Sequence, residues 1–170
     1  MSFPDVMQNL AIGIAGGIFS SIIVSVVFYL LNEYQNELNM AIDMTYPLNG
    51  VVVLEMSKNV KTSKKFKRKK VAKRYFLEAS NNFEKFEPWK FKYELKEIMC
   101  EIYDILTDGK YYLSKWDDDT LAEVSKKIEI NLDKLEQCEK NFARGLLKRV
   151  FRNKIIITAG IGFFAIVIIA

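Results

Sequence analysis

"LAIGIAGGIFSSIIVSVVFYLL", residues 10–31, runs for 22 residues without a charge, and the rest of the chain is read from it. As a helix it rises roughly 33 Å, against a hydrocarbon core about 30 Å thick. The stretch before it, "MSFPDVMQN" (1–9), carries no Lys or Arg, and no small-x-small cleavage site follows Leu31. The expectation is therefore a retained transmembrane helix behind a short outward-facing tail over 1–9, and not a cleaved signal peptide.

Outward from that segment, polarity is sharply partitioned. The chain has 170 residues, 50% of them hydrophobic, and a formal charge of +4. All 25 lysines and arginines lie between Lys58 and Lys154, and a second apolar run occupies Ile155 to Ala170. The predicted fold is mainly α. Two transmembrane helices, 10–31 and 154–170, flank a mostly helical cytoplasmic domain over 32–153. The second span rises only about 24 Å to Ala170, so the expectation is that Arg152 and Lys154 snorkel, that the bilayer thins, or that the natural chain runs on past Ala170. Basic residues Arg144, Lys148, Arg149, Arg152 and Lys154 flank it, which keeps the middle domain in the cytoplasm and both termini outside the bacterial inner membrane. Cys100 and Cys138 then sit in a reducing compartment and are expected to be free thiols.

Within the middle domain, the first helix is expected to stop before Pro47, with "PLNG" as a turn. "VVVLEM" (51–56) reads as a short strand pairing with "KYYLSKW" (110–116) in a two-stranded ribbon. A helix is predicted over 71–86, ended by Pro88. In the next, Leu95, Ile98, Met99, Ile102, Ile105 and Leu106 share one buried face. From Asp119 the apolar spacing runs without Pro into the second span, predicting one long helix with Asp118 or Asp119 as its cap and Gly145 as its weakest point.

Catalytic signals are scarce. With no histidine, the commonest general base and metal ligand are missing, and the two cysteines form no paired motif. The acidic cluster Asp117–Asp119 reads as a helix cap and solvated turn. The expectation is a chain without catalytic residues, cofactor or metal.

Two features carry a functional reading. The first is the spacing of Gly13, Gly17, Ser21 and Ser25, widened by Gly16 and Ser20 and matched on the second span by Thr158, Gly160 and Gly162. Small residues every fourth position leave a groove that another helix can approach closely. That helix is the second span, a second copy of the chain, or a membrane partner subunit. The second feature is the run 58–74, with ten basic residues and no acid. Lys64, Lys65, Lys67, Arg68, Lys69, Lys70, Lys73 and Arg74 are its contact residues for an anion. That anion is either a headgroup of the membrane lipids or a nucleic-acid-containing partner, with Phe66, Tyr75 and Phe76 near enough to stack on bases.

The layout of two spans, a charged cytoplasmic domain and no catalytic residues resembles the two-transmembrane effectors of bacterial anti-phage systems, encoded beside retron reverse transcriptases or nucleotide-signalling enzymes. The resemblance implies a dormant protein that oligomerises through Gly13, Gly17, Ser21 and Ser25 and disrupts the inner membrane when triggered. It also implies a basic run held by a partner such as a reverse transcriptase complex. The rival reading is a non-catalytic membrane anchor or assembly subunit that recruits an anionic or protein partner, its small-residue groove clamping its own two spans.

Overall fold

The computed structural model describes residues 3–57, 65–84 and 88–169. Among them every regular element is helical. The α-helices are α1 (Phe3–Met56), α2 (Lys65–Glu84), α3 (Tyr93–Thr107), α4 (Gly109–Tyr112), α5 (Asp118–Lys140), α6 (Phe142–Arg152) and α7 (Lys154–Ile169), and a 3-10 turn spans Pro88–Lys90. The chain divides into two compact units, residues 1–36 with 141–170, and residues 37–140.

The β ribbon is not formed, and the reason lies in α1. The helix continues through Pro47 to Met56. A proline inside a helix costs about 3 kcal/mol or more through its lost hydrogen bond and steric clash. Against this, Leu38, Ala41, Met44, Leu48 and Val51 recur at helical spacing and are all buried. Each large apolar side chain contributes about 1.5–3 kcal/mol on burial, so the stripe outweighs the proline. The expected partner strand is also absent. Asp108 accepts a hydrogen bond from the Lys110 amide at 2.9 Å, which starts the helical turn α4 instead.

In the unit 37–140, α1 supplies that stripe and α2 supplies Ala72, Phe76, Ala79 and Phe83, again three or four apart. The α3 face runs through Leu95, Ile98, Met99, Ile102 and Leu106, as its spacing predicts, while Ile105 is only partly buried. Helix α5 closes the core with Leu121, Val124, Ile128 and Leu135. Helices α1 and α2 approach closely at Gly50, where an added Cβ would come within 2.5 Å of the Tyr75 ring.

The predicted single helix from Asp119 into the second apolar run is broken twice, at Asn141 and at Asn153. Asn153 has extended backbone, and its Oδ1 accepts from the Ile155 amide at 2.9 Å, so its side chain competes with the helix for the backbone donor. The cap of α5 is Asp117, whose Oδ1 takes the Thr120 amide at 2.8 Å, and not Asp118 or Asp119. Gly145 lies inside α6 and is no weak point. In the unit formed by 1–36 and 141–170, Phe142, Gly145 and Arg149 share one face of α6 and pack on Tyr34 of α1. Phe142 stacks on the Tyr34 ring at 4.8 Å and the Arg149 guanidinium lies 4.1 Å from its centroid. A Cβ on Gly145 would collide with the Tyr34 hydroxyl and lie 2.8 Å from two ring carbons. Gly145→Ala is therefore expected to destabilise this unit by about 1–3 kcal/mol despite its better helix propensity, read as a lower melting temperature.

Arg149 is 1% exposed. It is thus no headgroup-facing charge, because its guanidinium is committed to the Tyr34 ring. Lys148, Arg152 and Lys154, with Arg144, are exposed.

By length and composition, α1 alone among the described helices qualifies as membrane-crossing. Its apolar window is entirely unburied. Helix α7, with 16 residues, is shorter than the roughly 20 that a bilayer core requires.

A candidate anion-binding groove

Helix α2 positions the basic run. Its apolar residues at 72, 76, 79 and 83 face the core, so the cations between them fall on the remaining surface. No acidic residue occupies the first turn of α2, where carboxylates complement the positive end of the helix dipole. Stacking cations there works against the helix by about 0.3–1 kcal/mol each, so their placement is not explained by helix stability.

The structure splits the predicted anion contacts into two sets. Arg68 gives a hydrogen-bonded ion pair to Asp118 Oδ1 at 2.9 Å, and Lys69 lies 3.6 Å from Oδ2 of the same carboxylate. Lys73 Nζ donates to the Ser114 carbonyl. These three tether α2 to the segment 114–118. Lys67, Lys70 and Arg74, at spacings of three and four, are exposed on one outer face, Arg74 also lying 5.8 Å over the Tyr75 ring. Lys64 lies outside the described residues, as do the side chains of Lys65 and Phe66.

Between α2 and the 113–117 segment runs a groove of about 820 Å³. Its rim carries Lys69, Lys70, Lys73, Arg74 and Lys115 against the single acid Asp117. Its apolar lining comes from Val71, Leu77, Trp116 and the exposed Leu113. Lys115, Leu77 and Leu113 were invisible as site residues, since only the fold brings residues 113–117 against 69–77. The one available signal was charge complementarity between "KKFKRKK" and "DDD".

Of the aromatic residues expected to stack on bases, the two whose side chains are described are otherwise engaged. Phe76 is 0% exposed and meets the Trp116 ring edge-on at 5.1 Å. Tyr75 lies against Gly50.

Behind the groove, Tyr111 organises a polar cluster. Its hydroxyl donates to Glu123 Oε1 at 2.6 Å and accepts from Lys127 Nζ at 2.7 Å. Lys110 Nζ reaches Glu123 Oε2 at 2.6 Å, and the Trp116 indole donates to the Tyr111 carbonyl at 2.9 Å. Hydrogen bonds from Lys110 and Tyr111 lower the Glu123 carboxyl to about 2, and the bond to Tyr111 raises Lys127. A carboxylate with a depressed pKa stabilises the fold above its ordinary value near 4.5, and that contribution is lost as pH falls towards 2. Melting temperature should drop across that window, and Glu123→Gln should flatten the drop.

The small-residue stripe behaves differently from the groove. Gly13, Gly17, Ser20, Ser21 and Ser25 are exposed, while Gly16 is half-buried on the other face with Phe19, Ile23, Leu30 and Tyr34. No described atom lies within 4 Å of a Cβ built on Gly13 or Gly17. The Ser21 and Ser25 hydroxyls donate to the carbonyls of Gly17 and Ser21, at 2.9 and 2.8 Å, so this face needs no external polar partner. In α7, a Cβ built on Gly162 would lie 3.5 Å from the Phe19 ring, and one built on Gly160 would meet no described atom within 4 Å. Cys100 and Cys138 are unbonded to each other.

No protein family, curated protein or solved structure matches this chain.

Proposed function

We propose that this chain is a non-enzymatic membrane effector. It inserts α1, and α7 as a shorter second span, in the bacterial inner membrane with its 37–140 unit in the cytoplasm. It assembles through the open face of α1 and breaches the permeability barrier when triggered, as in anti-phage defence. The observation that carries the reading is the exposed stripe Gly13–Gly17–Ser21–Ser25, open to an approaching helix and self-sufficient in hydrogen bonds. Within lipid, close approach over small residues is what drives helix association. The rival anchor reading needs this stripe to clamp the chain's own two spans, and the half-buried face of α1 runs instead through Gly16, Phe19 and Ile23.

The test is membrane potential and colony survival after induced expression in bacteria. Wild-type protein is expected to depolarise cells within minutes of reaching the membrane. Abundant inserted protein with an intact potential would overturn the effector reading in favour of the anchor.

A further inference from the structure

The groove between α2 and the 113–117 segment combines two surfaces that are seldom useful together for a purely ionic ligand. Five cations line it against one carboxylate, together with aliphatic and indole surface. Asp118 and the Ser114 carbonyl occupy Lys69 and Lys73, leaving Lys70, Arg74 and Lys115 as exposed lining cations. Among the lining residues Leu113 is 81% exposed, an apolar side chain held in water.

We infer that this groove binds the phosphate headgroup and first acyl segment of an anionic phospholipid. The inference rests on reading the basic face of α2 as an anion site, and deepens it by naming the ligand. Charge complementarity selects a phosphate, and the apolar lining selects a ligand that carries hydrocarbon next to that phosphate. A membrane supplies such a ligand at high local concentration. A nucleic acid fits less well, because single strands bind through bases stacked on open aromatic faces. Here Trp116 is 6% exposed and edge-packed on a fully buried Phe76, and Tyr75 faces Gly50. Lys67, Lys70 and Arg74 lie along one outer face of α2, so neighbouring headgroups would meet further charge.

The experiment uses the full chain in a non-ionic detergent with Trp89→Phe, leaving Trp116 as its only tryptophan. Dioctanoyl phosphatidylglycerol, dioctanoyl phosphatidylcholine, inorganic phosphate and a short oligothymidylate are titrated separately while Trp116 fluorescence is followed. Phosphatidylglycerol should give a saturable change at the lowest concentration. Lys70→Gln with Lys115→Gln should weaken it about 30-fold, the effect of two lysines each acting on an anionic headgroup. Leu113→Glu, at an exposed position, should weaken it as well without changing helicity or melting temperature. Equal response to phosphatidylcholine, or to phosphate alone, would overturn the inference, as would tighter binding of the oligonucleotide or indifference to both variants. Because binding is read on purified protein, a chain that fails to depolarise cells yet binds phosphatidylglycerol disproves the effector function and leaves the lipid site standing.

Discussion

A chain carrying Gly17→Leu and Ser21→Leu is expected to reach the membrane at the wild-type level and to leave cells polarised. Both positions are exposed, and a Cβ at Gly17 meets no described atom within 4 Å. Leucine favours the helix over glycine by up to about 1 kcal/mol and suits lipid better than serine does. The one internal interaction lost is the Ser21 hydroxyl's bond to the Gly17 carbonyl, which is intrahelical and leaves the backbone ladder intact. What the two leucines remove is close approach by a second helix. At about 1–2 kcal/mol per helix contact, assembly weakens roughly tenfold or more for each contact, and the loss compounds in a multi-subunit ring. The control is Ile18→Leu with Ile22→Leu, exposed but off the stripe, which should retain depolarisation. If the stripe variant still depolarises, association through this face is wrong.

The second large effect is on stability. Phe76→Ala should destabilise the 37–140 unit by about 3–5 kcal/mol, the usual range for deleting a buried phenylalanine. Phe76 is fully buried, and its ring receives the edge of Trp116, the residue that anchors segment 113–117 to α2. A domain of this size has only about 5–15 kcal/mol in total, so most of the chain's cooperative unfolding should move to lower temperature. A base-stacking Phe76 makes the opposite prediction, weaker nucleic-acid binding with unchanged stability. Thermal unfolding followed by circular dichroism separates the two, and an unchanged transition would mean the ring is not part of this core.

Strong local signals in this chain give way to packing in a common physical form. Pro47 and the β-branched "VVVLEM" are strong local signals, and both were overruled by a buried stripe whose energy comes from α1's neighbours in the fold. The apolar spacing continues through both helix breaks, at Asn141 and Asn153, so periodicity carries no sign of either, although at Asn153 the side chain itself takes the Ile155 amide. Gly145 looked like a weak link because glycine is flexible in isolation, yet here its missing side chain is what lets α6 lie against Tyr34.

By itself the sequence determined what depends on neighbours within a few residues. That covers the uncharged stretch 10–31, the small residues on one of its faces, the amphipathic stripe of α3, and a basic run with no acid in it. Only the tertiary structure decided which of those basic residues are free to meet a ligand. Asp118 neutralises Arg68 across 50 positions of sequence, and Lys73 is held by Ser114 across 41. Helical periodicity reports which face of an element is apolar. It is silent about which distant carboxylate, carbonyl or ring will be packed against that face, because such pairings are made by the whole core when it closes.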